Sequence, residues 1–432
     1  MRFRAVDVAA ATGGQVHGPD VAIDGVSFDS RSLQRGQLFV PIVADRDGHD
    51  FIPNALARGA AAYLTMRYRA ELGGTAIEVP DTVRALMALA AVQRAEFHGT
   101  VIGITGSVGK TSTKDLAWAA LAASKSTWAN ERSFNNEQGL PTAILNMPTS
   151  TEIAVLEMGM RALGEIAELC RIAQPKIGVV TLVAEAHGDR VGGLDGVARA
   201  KSELIAALPS DGVAILNADD VRTRAMSSVS AAQVLLFGES TDADIRISAL
   251  QVDDLARASF QLDSPWGACH VQLGVSGRHM AHNAAAALAC VGAVGGDLVA
   301  GATALSTAGL SSMRMEIVYA PSGAIVVNDA YNANPTSMRA ALETLAQLPA
   351  VRRVAVLGLM AEITDADAEH RAVLQYAHAL GLEVIAYGTD LYGIAPVADP
   401  IEALGSLASG VAVLVKASRV VGLERLVADL VR

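Results

Sequence analysis

Aromatic side chains are scarce, at 4% of the chain. That poverty, with an apolar content that is mostly Ala, Val and Leu, suits helices layered on sheets better than an aromatic-rich binding surface. Cysteine is rarer still. Cys170, Cys269 and Cys290 are odd in number and lack metal-type spacing, so buried reduced thiols are expected rather than disulfides or zinc. No apolar run reaches the roughly 18 residues of a membrane span, the longest being cut at Asp297. Asp7 interrupts the N-terminus before a secretory apolar run can form, which makes the cytoplasm the expected location. Surplus positive charge is missing too: 34 basic against 45 acidic residues leave a net charge of −11. Such a balance argues against partners that are nucleic acids or anionic membranes, and a monomer acting on small molecules is the expectation.

What is present favours compact folding. Hydrophobic residues make up 51% of 432 and charged residues only 18%, and a chain of that length exceeds what one core usually organises. Residues 1–99 alternate short apolar runs with Gly-rich turns and end in an expected helix at 82–97. Residues 100–312 begin as strand, glycine loop and helix, continue in strand–helix alternation to about 208, and predict a mainly parallel sheet. Runs at 234–237, 245–252, 258–262 and 270–275 are expected to add antiparallel strands, followed by Ala-rich helices at 281–293 and 297–308. Residues 313–432 restart the alternation as a third, nucleotide-fold-like α/β domain, with strands at 316–319, 324–329, 354–357, 384–387 and 411–415.

The sharpest local signal is Val101-Ile-Gly-Ile-Thr-Gly-Ser-Val-Gly-Lys-Thr111. A strand, a glycine turn and a helix start make a phosphate loop. Gly106, Ser107 and Gly109 let backbone N–H groups converge on phosphate oxygens, Lys110 adds a point charge, and the Thr111 hydroxyl, beside Ser112, suits a Mg²⁺ ion. Ile104 stands where the strict motif has its first glycine. Glu157 ends the apolar run Ile153-Ala-Val-Leu-Glu-Met-Gly159, at the strand end where a parallel sheet carries its chemistry. His187 follows another apolar run, and Lys201 sits in an expected helix. Alone, each of these three has an ordinary structural reading: an ion pair, a hydrogen-bonded histidine, a solvated lysine.

In order and approximate spacing these residues resemble the Mur ligases, over the whole chain. Phe28-Asp-Ser-Arg31, Gly48-His-Asp-Phe51, Phe134-Asn-Asn-Glu137, Asp329-Ala-Tyr-Asn-Ala-Asn-Pro335 and Val415-Lys-Ala-Ser-Arg419 point to the branch that joins D-alanyl-D-alanine to a UDP-N-acetylmuramoyl-tripeptide. The resemblance implies a UDP-precursor-binding domain, a central P-loop ATPase domain and a Rossmann-like C-terminal domain that closes to exclude water. It implies an ADP-forming amide ligase of peptidoglycan synthesis that uses ATP and Mg²⁺. Thr111 and Glu157 would hold one Mg²⁺, and His187 with a carbamylated Lys201 the other. Lys110 and Arg314 would act at the phosphates, Asn283 at adenine and Asp329 at ribose. Ser30, Arg31, Asn135, Asn136, Tyr331, Asn332 and Asn334 would contact substrate.

Ordinary readings compete at several of these positions. Asn283 could cap a helix, Asn332 and Asn334 could be turn residues before Pro335, and Arg314 could pair with Asp329. Met280 and Leu182 stand where the family has Asn, Leu359 where it has Asp, Met313 where it has Gly, and Gly188 where an apolar residue is common. These departures leave the implied metal ligands intact. They keep open a divergent ligase for another carboxylate and amine, folylpolyglutamate-like or making a specialised metabolite. They also admit a nucleotide-binding regulatory module without turnover.

Overall fold

The computed structural model describes residues 2–130, 134–184 and 191–432. The chain folds as two compact units. One comprises Met1–Gly103, Ser126–Met160 and Gly164–Lys176, and the other Ile104–Lys125, Arg161–Leu163 and Ile177–Arg432.

In the first unit a five-stranded sheet runs Gln15–His17, Ala76–Glu78, Ala62–Thr65, Leu38–Phe39 and Val26–Ser27. Its first pair is antiparallel and the others parallel. Ala62–Thr65 is buried at every residue, as a strand covered on both faces must be. Phe39, Ile52, Tyr63 and Ala76 pack one apolar cluster over it. Helix Thr82–Glu96 starts where the Asp81 carboxylate accepts the N–H groups of Val83 and Arg84. That satisfies two of the donors a helix start leaves open. Later in the chain, Thr127–Ala129 runs parallel to the wholly buried strand Ile153–Glu157. Asn146 stitches this later segment to the early sheet, accepting the Val26 N–H at 2.8 Å and donating to the Val26 carbonyl at 2.9 Å.

Strand Thr100–Thr105 carries the chain from one unit into the other. In the second unit Ile177–Val180, Val213–Asn217 and Gln233–Gly238 are parallel neighbours. Ile245–Val252, Arg257–Ser264 and Gly267–Ser276 extend the sheet. Here one expectation is corrected. The run at 234–237 is not antiparallel, because a short helix, Val221–Ala225, returns the chain to pair it in parallel. Antiparallel pairing begins only between 245–252 and 257–264. The Ala-rich helix Met280–Ala293 is buried along nearly all its length and packs on Lys110–Ala122, small side chains allowing the close approach.

Residues 313–432 form their own five-stranded sheet within this unit. Its order is Glu316–Tyr319, Ile325–Asn328, Val411–Lys416, Arg352–Leu357 and Glu383–Ala386, antiparallel only at the first pair. Val326, Val354, Val356, Val413 and Val415 fill its core. Cys170 and Cys290 are buried thiols and Cys269 is half-buried, with no disulfide among the three. Among the described residues no helix is long and apolar enough to cross a membrane.

Candidate active site

The phosphate loop is built by latches from far along the chain. Gly106 has φ +153° and Gly109 φ +85°. A Cβ on Gly106 would collide with Thr181 Oγ1, and one on Gly109 would sit 2.7 Å from Asn283 Oδ1, so both glycines answer steric need as well as backbone conformation. Ser107 donates its N–H to the Leu182 carbonyl and its hydroxyl to the Ala184 carbonyl, each at 2.7 Å. Thr181 donates its hydroxyl to the Val108 carbonyl at 2.6 Å. The latching segment is itself fixed, with Asn217 donating to the Thr181 carbonyl at 2.8 Å and Val183 N–H to Asp220 at 2.7 Å. Leu182 therefore serves the loop through its carbonyl, and the missing Asn side chain costs the latch nothing. Lys110 opens the helix and bends its ammonium to the Gly106 carbonyl at 2.7 Å. Thr111 and Ser112 are buried in the helix's first turn.

Lys201 lies inside helix Gly193–Ala206 and is only 4% exposed. Burial in apolar surroundings pushes its amine well below the ordinary lysine range, and the positive charge of Lys110 pushes it further. The loop lysine and the buried lysine therefore share one electrostatic neighbourhood, in which burial and the Lys110 charge both disfavour the ammonium form of Lys201. His187 and Gly188 lie outside the described residues. Asn283 is buried within helix Met280–Ala293 rather than at its start, so it is no cap. Its amide donates to the Met280 sulfur at 3.4 Å, occupying the position where the family has Asn.

Arg314 reaches the loop. Its guanidinium donates to Thr111 Oγ1 at 3.1 Å and stacks over the Tyr331 ring, 4.1 Å from the centroid. It is not paired with Asp329, whose partner is the buried Lys416. Met313 and Met315, on either side of Arg314, both have positive φ, at 63° and 49°. Asn332 gives its carbonyl to Lys416 at 2.9 Å and its side-chain oxygen to the Ala333 N–H at 2.9 Å. Asn334 caps helix Pro335–Gln347 in a reciprocal bond with Ser337. Leu359 contributes its carbonyl to Ser418 N–H at 2.9 Å.

The remaining sites belong to the first unit. Ser30 is buried, while Arg31 is exposed and bound to its near neighbour Asp29 at 2.7 Å. Asn135 donates to Glu157 Oε1 at 2.7 Å, and the buried Asn130 accepts the Glu157 N–H at 3.0 Å. Asn136 accepts the Gly139 N–H at 2.9 Å at the start of helix Gly139–Leu145. Thr181, Asn130 and Lys416 are residues that motif reading passed over. Only Lys416 left a trace in the sequence, inside Val415-Lys-Ala-Ser-Arg419. Among the described residues no three His, Cys, Asp or Glu side chains cluster as a metal site.

Comparison with known proteins identifies the family of the chain. Residues 104–291 match the Mur ligase middle domain and residues 313–430 the Mur ligase glutamate ligase domain. The UDP-N-acetylmuramoyl-tripeptide–D-alanyl-D-alanine ligase of Mycobacterium tuberculosis is 39% identical over 397 residues, covering 84% of this chain and 77% of that protein. A crystal structure of MurF from Acinetobacter baumannii superposes with a TM-score of 0.88 at 30% identity, covering 100% of this chain and 99% of the other. MurF from Thermotoga maritima in complex with ADP gives 0.82 at 27% identity, covering 94% and 96%. With both domain models matched and the relatives aligned over most of their length, the chain belongs to the Mur ligase family.

Proposed function

We propose that this protein joins D-alanyl-D-alanine to a UDP-N-acetylmuramoyl-tripeptide with ATP, through an acyl phosphate, in peptidoglycan precursor synthesis. The observation that carries the reading is the convergence on one loop of Lys110, the buried Lys201, whose pKa is pushed well down, and the guanidinium of Arg314. It is joined by the kinship with ligases of that name. The enzyme acts in the cytoplasm, as a monomer.

A carboxylate resists an amine because it would have to expel oxide. Transfer of the γ-phosphoryl group from ATP supplies a leaving group, but it brings two anions together. At an effective dielectric of about 20, unit charges about 4 Å apart repel by roughly 4 kcal/mol. Lys110 and Arg314 offset that cost by facing the oxygens where charge develops. The amine of the dipeptide then attacks the acyl carbon, phosphate departs with its bonding pair, and the amine's proton passes to solvent or a base. Asn283 takes the adenine and Asp329 the ribose, while Ser30, Arg31, Asn135, Asn136, Tyr331, Asn332 and Asn334 serve the precursor and dipeptide.

As magnesium ligands we take Thr111, Glu157, His187 and Lys201. Hydroxyl and carboxylate oxygens are the hard donors Mg²⁺ accepts, and a neutral lysine amine fits the set once it adds CO₂, losing a proton to become a carbamate. When bound, the metal would neutralise phosphate charge. Because Arg314 donates to the Thr111 hydroxyl here, that oxygen already faces a cation.

The deciding experiment supplies ATP, Mg²⁺, UDP-muramoyl-tripeptide and D-alanyl-D-alanine and measures phosphate release with amide formation. Coupled products are expected. A folded, ATP-binding preparation that makes none would overturn the reading, and release driven by other carboxylates and amines would assign a different ligase.

A further inference from the structure

Lys416 ends a strand that is buried at every residue, and it is itself 1% exposed. Its ammonium binds one oxygen of Asp329 and the Asn332 carbonyl. The other Asp329 oxygen accepts the Met315 N–H at 3.1 Å. On the near side of the same turn, Glu316 Oε2 accepts the Met313 N–H at 3.2 Å and the Asn328 side-chain amide at 3.0 Å. Two carboxylates thus grip the backbone immediately before and after Arg314. The turn needs gripping, because Met313 and Met315 are both left-handed without being glycine. Nothing in this arrangement requires Lys416 to touch nucleotide or substrate.

We propose that Lys416 is a positioning residue for Arg314: by orienting the Asp329 carboxylate it holds the left-handed turn that aims the guanidinium at the phosphate loop. The chain of contact runs from Lys416 through Asp329 to the Met315 N–H, and from the turn to Thr111 Oγ1 and the Tyr331 ring. Burial lowers the Lys416 pKa while the Asp329 charge raises it, so the pair answers part of the desolvation that each charge would suffer alone. Losing the ammonium leaves Asp329 free to turn, and the strained backbone then relaxes toward a conformation that withdraws Arg314. A guanidinium displaced by about 1 Å is enough to cost about 100-fold in rate.

This inference rests on the reading that Arg314 acts at the phosphates, and a double-mutant cycle separates the two. Lys416→Met, Arg314→Ala and the double variant are prepared as full chains, with kcat and the KM for ATP measured per nucleotide-binding site below each variant's unfolding temperature. Lys416→Met is expected to lower kcat about 100-fold, and this kcat loss is expected to vanish in the Arg314→Ala background, whereas any rise in the KM for ATP that comes through the ribose contact of Asp329 should be the same in both backgrounds. Equal losses in both backgrounds would mean that Lys416 supports the fold generally, which overturns the proposal. Lys416→Gln keeps the stem and a donor and serves where Met does not fold; it should show a smaller loss that likewise vanishes without Arg314. If Arg314→Ala keeps wild-type kcat, the phosphate role of Arg314 is what fails.

Discussion

Of the described lysines buried in the second unit, Lys114, Lys201 and Lys416, the last two have opposite surroundings. Lys416 faces the Asp329 carboxylate and the Asn332 carbonyl. Lys201 has the ammonium of Lys110 as its influential charged neighbour, and among the described residues no carboxylate reaches its amine. Desolvation lowers both pKa values, but Asp329 pulls the Lys416 value back up while Lys110 drives the Lys201 value further down. A buried lysine beside an acid remains a charge that organises its partner. A buried lysine beside another cation is biased toward the neutral amine, the form that can add CO₂.

The largest effect should come from removing the nucleophile. Lys201→Met keeps the volume and loses the nitrogen, so if Lys201 carries the proposed carbamate, ligation should fall by about 1,000-fold or more while ATP still binds, since a thioether cannot replace a charged ligand. Steady-state phosphate release measures the loss. Labelled bicarbonate gives a direct readout: a carbamate carbon signal is expected in the wild type and in Lys416→Met but not in Lys201→Met. A signal that survives in Lys201→Met would break the distinction between the two lysines.

Stability should divide them in the other direction. Lys416→Met strands the buried Asp329 carboxylate and should cost roughly 3–5 kcal/mol. Lys201→Met replaces a desolvated amine by an apolar chain and should be neutral or mildly stabilising. Urea denaturation of both variants at pH 7 compares them directly. Equal destabilisation would mean that Lys201 has an anionic partner of its own.

A smaller perturbation touches the Lys201 side alone. Thr181→Val keeps the shape of the side chain but removes the hydroxyl that latches the Val108 carbonyl, leaving the loop that carries Lys110 less fixed. The loss of one neutral hydrogen bond is worth about 1 kcal/mol, so kcat/KM for ATP should fall roughly 5- to 10-fold with unfolding little changed. A variant with wild-type kcat/KM would show the latch to be dispensable.

These contrasts also mark what the sequence disclosed. The phosphate loop was legible because its glycines, lysine and threonine are contiguous and flanked by a strand and a helix. The parallel character of the second unit was legible in its runs of Val, Ile and Leu. The latch by Thr181 was not, because it uses backbone carbonyls contributed more than seventy residues away, and a carbonyl leaves no mark in the residue type. The run at 234–237 misled for a similar reason: apolar content identifies a strand, whereas its direction depends on the short helix before it. Val415-Lys-Ala-Ser-Arg419 marked a place of interest, but only the fold puts Lys416 against Asp329, 87 positions earlier. The place of Glu157 at the end of its strand was foreseen, while Asn130, which accepts its N–H, was missed, and Asn135, which donates to its carboxylate, was given to the substrate.

The finest probe of the Lys416 region is His279, which is partly exposed and whose pKa is pushed down to about 4 by burial, with Asp329 pulling it up and Lys416 down. Its unfolded value is near 6.5, so between those limits the unfolded chain binds the extra proton. Stability contributed by the neutral imidazole is therefore complete above pH 6.5 and is lost as the pH falls toward 4. Taking the Lys416 charge away should let the folded pKa rise toward the unfolded one, narrowing the window and shrinking that acid loss even though Lys416→Met is less stable throughout. The measurement is the change in unfolding free energy between pH 7 and pH 5, each corrected by the matching His279→Gln background. An acid loss of undiminished size in Lys416→Met would mean that the ammonium does not reach His279. The buried pair would then be confined to Asp329 and the turn it grips.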